Sequence, residues 1–345
     1  MLPGAILPET TPVNVFVILV ATGLIWIGAG WLEDAAEHLA TYYGLPPVVQ
    51  GSVIAAIGSS VPELASVVFA ALADVFNMGV GAIVGSAIFN ILVIPAVAGL
   101  AAETHLESSR TIVYKEAQFY MLAVSALVIT FALAVIYRPV PNGPELAGLL
   151  TRPLAVIPLL LYALYLFIQW QDVSDYEPET VPGDLAVGRE WGKLLLGLLV
   201  ILLAVEEMVR ATESLGGTFG VPEFLLGVTI IAAATSLPDT VVSVRAAREG
   251  RGVTSLGNVF GSNTFDLLVV IPVGVLLVGS AAVNFSLAVP MLGILTVATV
   301  LVFGFLRTDL SLTTLESYVL LGAYLLFVAW VLAETLGLTA VLQGV

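Results

Sequence analysis

Long apolar runs separated by short polar breaks dominate the chain, and it is their length that carries the structural signal. Runs of about 20 apolar residues, enough to cross about 30 Å of hydrocarbon, lie near 13–33, 47–72, 78–100, 118–137, 150–170, 191–215, 221–246, 253–279, 283–306 and 314–337. Ten transmembrane helices are therefore expected. The breaks fall at turn-forming clusters such as Arg138-Pro139-Val140-Pro141-Asn142-Gly143-Pro144 and at an acidic segment from Asp172 to Glu190. No basic flank precedes the first run between Met1 and Asn14, so that run is expected to be retained rather than cleaved as a signal peptide.

Composition agrees. Of 345 residues, 59% are hydrophobic and 11% charged, whereas a soluble domain carries about 25% charged residues. The mean hydropathy is +1.05. The fold class expected is all-α and integral to a membrane. With 11 basic against 26 acidic side chains the net charge is −15, which argues against a nucleic-acid partner. An acidic surface suits a salt-rich (halophilic) setting, although solvated acidic loops account for it equally well. The absence of cysteine excludes disulfides, thiolate metal sites and cysteine nucleophiles, and His38 and His105 are too few for a histidine-built metal centre. Both histidines fall at loop edges and are read as solvated.

Ten crossings place Arg110, Lys115, Arg189, Lys193, Arg245, Arg248, Arg251 and Arg307 on one side, and Arg138, Arg152 and Arg210 on the other. The positive-inside rule puts the first group in the cytoplasm and both termini outside, in a multi-pass cell-membrane protein.

The chain also matches itself at an offset of 176. Gly44, Pro46 and Gly51 meet Gly220, Pro222 and Gly227; Ala56, Ser60, Pro62 and Glu63 meet Ala232, Ser236, Pro238 and Asp239; Gly85, Ser86, Phe89 and Asn90 meet Gly261, Ser262, Phe265 and Asp266. Each copy holds five helices. An odd number makes the second copy enter from the opposite face, giving two inverted five-helix repeats, a transporter architecture with its site near the midplane. The expected division is 1–170 for the first repeat, 171–190 for an acidic cytoplasmic linker and 191–345 for the second repeat.

Each half breaks one helix with a polar, proline-bearing segment: Gly58-Ser59-Ser60-Val61-Pro62-Glu63 in helix 2 and Ala234-Thr235-Ser236-Leu237-Pro238-Asp239 in helix 7. Proline has no N–H, so the carbonyls of Gly58 and Ala234 lose their helical partners, and in lipid they must be satisfied otherwise. Ser59 and Ser60 share a helix face with Glu63, as Thr235 and Ser236 do with Asp239. The next helix of each half adds Ser86 with Asn90, and Ser262 with Asp266. All are hard oxygen donors, a set suited to Ca²⁺ or Na⁺ and unsuited to zinc or copper. A carboxylate at the bilayer centre costs about 2.5–3.5 kcal/mol on insertion scales, and no basic residue lies inside these spans except at their ends. Glu63, Asp239 and Asp266 are therefore read as an ion site. Asp266 is expected to remain neutral, because clustered like charges disfavour full ionisation.

These four segments, the two proline-broken ones together with Gly85-Ser86-Ala87-Ile88-Phe89-Asn90 and Gly261-Ser262-Asn263-Thr264-Phe265-Asp266, resemble those of the cation/calcium exchanger superfamily, specifically its sodium/calcium exchangers. The likeness is specific over 44–95 and 220–272. It implies a central Ca²⁺ site made by Glu63 and Asp239 with oxygens around Ser59 and Thr235. Flanking Na⁺ sites would use Ala56, Ser60, Ser86, Ala232, Ser236 and Ser262, and Asn90 and Asp266 would complete the ring. Asp239, and Ser243 to Arg248 after it, look more like the potassium-dependent branch, so K⁺ joins the candidate ions. The resemblance implies no enzyme and no cofactor. It implies an antiporter that exchanges Na⁺ for Ca²⁺ as helices 1 and 6 slide across a core of helices 2, 3, 7 and 8. A proton/calcium antiporter using the same carboxylates is the alternative. An intramembrane aspartyl protease would need a Gly-x-Gly-Asp context, which the chain lacks.

Glu37 and Glu213 also match at the offset and are read as surface residues. Glu206 and Arg210, four apart, are read as a helical ion pair.

Overall fold

A computed structural model describes residues 10–45, 54, 56–141, 143, 146–172, 185–336, 338, 339 and 342. The start of helix 2 and most of the acidic segment, 173–184, lie outside these described residues.

Helix α1 (Thr11–Tyr42) is followed by the short α2 (Ala56–Ser59) and α3 (Val61–Leu72), then α4 (Phe76–Leu92) and α5 (Ile94–Ala101). Strand β1 (Leu106–Glu107), a π-helical turn (Ile112–Glu116), α6 (Ala117–Tyr137), β2 (Ala147–Thr151) and α7 (Arg152–Asp172) complete the first half. The second half opens with α8 (Val187–Phe219) and α9 (Glu223–Leu226), and a π turn (Gly227–Ile231) leads into α10 (Ala232–Thr235) and α11 (Leu237–Arg248). After α12 (Gly252–Phe265) come a π segment (Asp266–Val270), α13 (Ile271–Val278), β3 (Ser280–Asn284), α14 (Phe285–Arg307), β4 (Ser311–Leu312) and α15 (Thr314–Thr335).

Among the described residues seven helices are long and apolar enough to cross a membrane, and Glu223–Thr235 with Leu237–Arg248 form an eighth span bent by 43°. Pro238 explains the bend, since it removes a helical hydrogen bond where Ser236 separates α10 from α11. Helix α8 is 33 residues long but carries Glu206, Glu207 and Arg210. The expected pair exists, with Arg210 Nη2 at 2.6 Å from Glu206 Oε1. Outward-facing Leu160, Val297, Leu325 and Leu326 are each 65% or more exposed. Such an apolar exterior matches lipid rather than water.

The helix boundaries repeat the sequence offset. α2 and α10, and α3 and α11, begin and end 176 residues apart. Gly44 and Gly220, which follow the two longest helices, both take φ of +67°, a left-handed conformation open to glycine. Beyond Asp266 the offset becomes 177, so that Ile94-Pro95 meets Ile271-Pro272. The π segment Asp266–Val270 absorbs the inserted residue, as wider helical turns do.

The equivalent helices α1 and α8 run antiparallel. Asn14 Nδ2 donates to Ser214 Oγ at 2.9 Å near one end, and His38 Nδ1 lies 3.1 Å from Glu190 Oε2 at the other. Opposed directions for matched helices are what an inverted pair requires. His38 is thus half-exposed and paired, not merely solvated as the sequence suggested. Gly28 and Gly197 let the helices touch: a Cβ on Gly197 would lie 2.6 Å from the Gly28 carbonyl. Two short antiparallel ladders, β1 with β4 and β2 with β3, each join a strand of one half to a strand of the other. They are an addition to the all-α expectation.

The buried apolar residues form two bodies. One joins α1 and α8 to Ala65, Ala70, Met78, Ala82, Leu226, Ile231 and Ala234. The other, larger body centres on α4, α6, α12 and α14.

Candidate ion-binding site

Four segments bring the polar side chains together. α2 and α3 present Ser59, Ser60 and Glu63, and α10 and α11 present Thr235, Ser236 and Asp239. α4 adds Ser86 and Asn90, and α12 with its π segment adds Ser262 and Asp266. Every one of these side chains is buried, and Glu63, Asp239, Asp266 and Asn90 have no exposed surface at all. Ala56 and Ala232 are buried with them. Their carbonyls accept from the amides of Ser60 at 3.2 Å and Ser236 at 3.1 Å, which holds the turn before each proline.

The halves interlock crosswise. The Thr235 and Ser59 hydroxyls donate to backbone carbonyls of the preceding turn, Thr235 Oγ1 to Ile231 at 3.1 Å and Ser59 Oγ to Ala56 at 3.2 Å, and the contacts between halves run through Ser86, Asn90 and Ser236. Ser86 Oγ donates to Glu63 Oε1 at 3.3 Å, and Ser236 Oγ donates to Ser86 Oγ at 2.9 Å. Asn90 Nδ2 donates to Asp239 Oδ2 at 3.0 Å. Thus Asn90 turns nitrogen, not oxygen, towards that carboxylate. Ser262 also lies beside Asp239, and Ser60 beside Asp266.

Several oxygens at this point have no hydrogen-bond partner: Glu63 Oε2, Asn90 Oδ1, Ser60 Oγ and both oxygens of Asp266. A buried polar atom without a partner costs about 1–3 kcal/mol, which makes these residues the candidate place for a cationic ligand. Among the described residues no three acidic or histidine side chains converge as a metal cage. The donor set is mixed, with carboxylates supplemented by hydroxyl and amide oxygens, which fits a flexible oxygen-seeking cation.

Three neighbours went unread in the sequence. Asn263, the counterpart of Ala87, accepts from Asn90 Nδ2 at 3.1 Å and donates to the Ala87 carbonyl at 3.2 Å. Asn258 Nδ2 reaches Asp239 Oδ1 at 3.4 Å. Tyr120 buries a hydroxyl beside Asn263 and Thr299. Asn263 stands three residues before Asp266, a same-face spacing that was the available signal, whereas Asn258 and Tyr120 gave none.

The sequence profile of the family described as Sodium/calcium exchanger protein matches residues 13–171 and 190–333. The chain belongs to this family. It is similar to the sodium/calcium exchanger MaX1 of Methanosarcina acetivorans, 25% identical over 91% of this chain and 97% of that protein's length. The inner membrane protein YrbG of Escherichia coli K12 is 28% identical over 74% of this chain and 79% of its own. Among solved structures, the sodium-calcium exchanger NCX_Mj superposes with a TM-score of 0.63 and 20% identity, covering 93% of this chain and 99% of that one. That likeness is one of fold. The family exchanges cations across membranes and is not a family of enzymes, and this chain is a multi-pass membrane protein of the same kind.

Proposed function

We propose that the protein exchanges Na⁺ for Ca²⁺ by alternating access, with both ions competing for Glu63 and Asp239. The observation that carries this reading is the linkage of two fully buried carboxyls across the halves, Asn90 on Asp239 and Ser236 through Ser86 on Glu63, beside oxygens of Glu63, Asn90, Ser60 and Asp266 that have no partner. Two carboxylates balance one divalent ion. The hydroxyls of Ser60, Ser86, Ser236 and Ser262, with carbonyls near Ala56 and Ala232, supply uncharged oxygens for Na⁺. Asn90 orients Asp239, and Asp266 stays neutral beside Ser60.

The movement follows from the two apolar bodies. Helices α1 and α8 pack on the rest through Ala65, Ala70, Met78, Ala82 and Ala234, together with the larger Val75, Leu226 and Ile231. The slide runs along this surface and opens one face at a time. The repeats are assigned to 1–170 and 191–345 around the acidic linker 171–190. The end carrying Arg245, Arg248 and Arg251 is assigned to the cytoplasm, with both termini outside the cell membrane.

Proton coupling is the alternative, since carboxyls alone suffice for it. The serine hydroxyls favour Na⁺, and MaX1, matched along nearly its whole length, is named a sodium/calcium exchanger. Proteoliposomes loaded with radiocalcium separate the two. An inward Na⁺ gradient at constant pH should release calcium, and a pH gradient without Na⁺ should not. Release driven by the pH gradient alone would sink Na⁺ coupling. K⁺ varied in the same vesicles tests whether that ion takes part.

A further inference from the structure

One acid near the site has no counterpart in the other half. Glu33 on α1 stands 176 residues before Val209 on α8, whereas the site residues themselves are matched by polar partners. Its side chain is half-buried, and its Oε1 is enclosed without a hydrogen-bond partner. It passes over Gly58, where a Cβ would lie 3.8 Å from Glu33 Cγ. Gly58 is the residue whose carbonyl Pro62 leaves free. Along α1, Asp34 is its neighbour and Glu37 stands one turn nearer the end of the helix.

Asp34 and Glu37 line an open cavity of about 490 Å³ together with His38, Thr41, Tyr42, Leu185 and Arg245. This cavity lies at the end of the molecule rich in arginine. Acids therefore follow α1 from Glu37 and Asp34 in the cavity to Glu33, which lies over the Gly58 segment that leads into the enclosed site. On α8 the place of Glu33 is held by buried Val209, and the nearby Glu206 is paired with Arg210.

We propose that Glu33 is a relay carboxylate that passes the cation between this cavity and Asp239, so that access from the arginine-rich end differs from access at the opposite end. The inference rests on the assignment of Glu63 and Asp239 as the cation site. Acids along an entry path raise cation association, by a factor of about 10 to 1,000 where one sign of charge prevails, and here Asp34 and Glu37 share the cavity with Arg245 and His38. Removing the innermost acid should therefore slow loading from that face alone.

The test uses the full chain in proteoliposomes. Because the chain has no cysteine, a single Glu103→Cys at the arginine-rich end, labelled with an impermeant thiol reagent, reports which way each molecule faces. Glu33→Val installs the residue of the second half, and Glu33→Gln keeps the shape should the valine variant not fold. The half-saturating Ca²⁺ concentration at the arginine-rich face should rise about tenfold, while the value at the opposite face and the maximal exchange rate stay as in the parent chain. No change at either face, equal change at both, or complete loss of exchange in a folded Glu33→Gln would each overturn the relay. Loss of exchange in Glu63→Gln is a separate result that tests the underlying site, so the two failures are distinguishable.

Discussion

At the scale of single residues, Asn90 is the hinge of the site. Its one amide nitrogen serves both Asp239 and Asn263, two residues of the half opposite to its own. A hydrogen bond to a charged group contributes about 1.5–3 kcal/mol. Asn90→Ala should therefore weaken Ca²⁺ binding by about 10- to 150-fold, read as the half-saturating concentration for exchange, with the chain still folded. Asn258→Ala should cost less, since its contact to Asp239 is longer at 3.4 Å. The acids and hydroxyls were legible because charge inside an apolar run is conspicuous and proline marks the break beside it. Asn258, Asn263 and Glu33 were not. An asparagine on a helix reads the same whether it faces a carboxylate or a neighbouring backbone, and Glu33 sits where an apolar run gives way to a polar end.

At the scale of elements, the crossing of α1 and α8 sets how freely the moving pair can form and shift. Gly197→Leu would drive its Cβ against the Gly28 carbonyl and the Leu32 amide, 2.6 and 3.0 Å away. Overpacking of this kind costs about 1–3 kcal/mol. The expected outcome is a lower thermal midpoint and a slower maximal exchange rate, with Ca²⁺ affinity unchanged, because no donor atom moves. The ends of these helices are also tied by charge. The Lys193 ammonium and then His38 hold the Glu190 carboxyl below the usual carboxylate range. Since the folded-state pKa is depressed, this contribution is present above the ordinary carboxylate pKa and lost as pH falls through the lowered value. The thermal midpoint of Glu190→Gln should lie below that of the parent chain at neutral pH, and the two should converge in acid. Equal midpoints at neutral pH would show that the tie contributes nothing. Run length located seven of the spanning helices and the bent pair, while the ten crossings expected are not all found among the described residues. The two ladders were not, since two to five residues of extended chain between apolar helices leave no period to detect. The π segment after Asp266 was equally hidden, because a one-residue insertion shifts the offset only beyond the last matched motif.

For the whole molecule, symmetry and its exceptions explain most of the design. Two proline-bearing segments related by the offset each supply one carboxyl to the proposed site, where Asn90 of one half bonds Asp239 of the other and Ser236 bonds Ser86. Two short ladders also join strands from the two halves. The repeat and its broken helices could be read directly because glycine, proline and serine recur at one spacing without a gap. What could not be read was which residues cross between halves, since the offset relates equivalents and says nothing about contacts. The central claim is that Glu63 and Asp239 jointly hold the transported cation. Its most direct measurement is Na⁺-driven radiocalcium uptake by proteoliposomes carrying Glu63→Gln or Asp239→Asn, each shown to be folded and inserted. Both neutral variants should lose uptake to the level of protein-free vesicles. Uptake by either one at the rate and affinity of the parent chain would contradict the account.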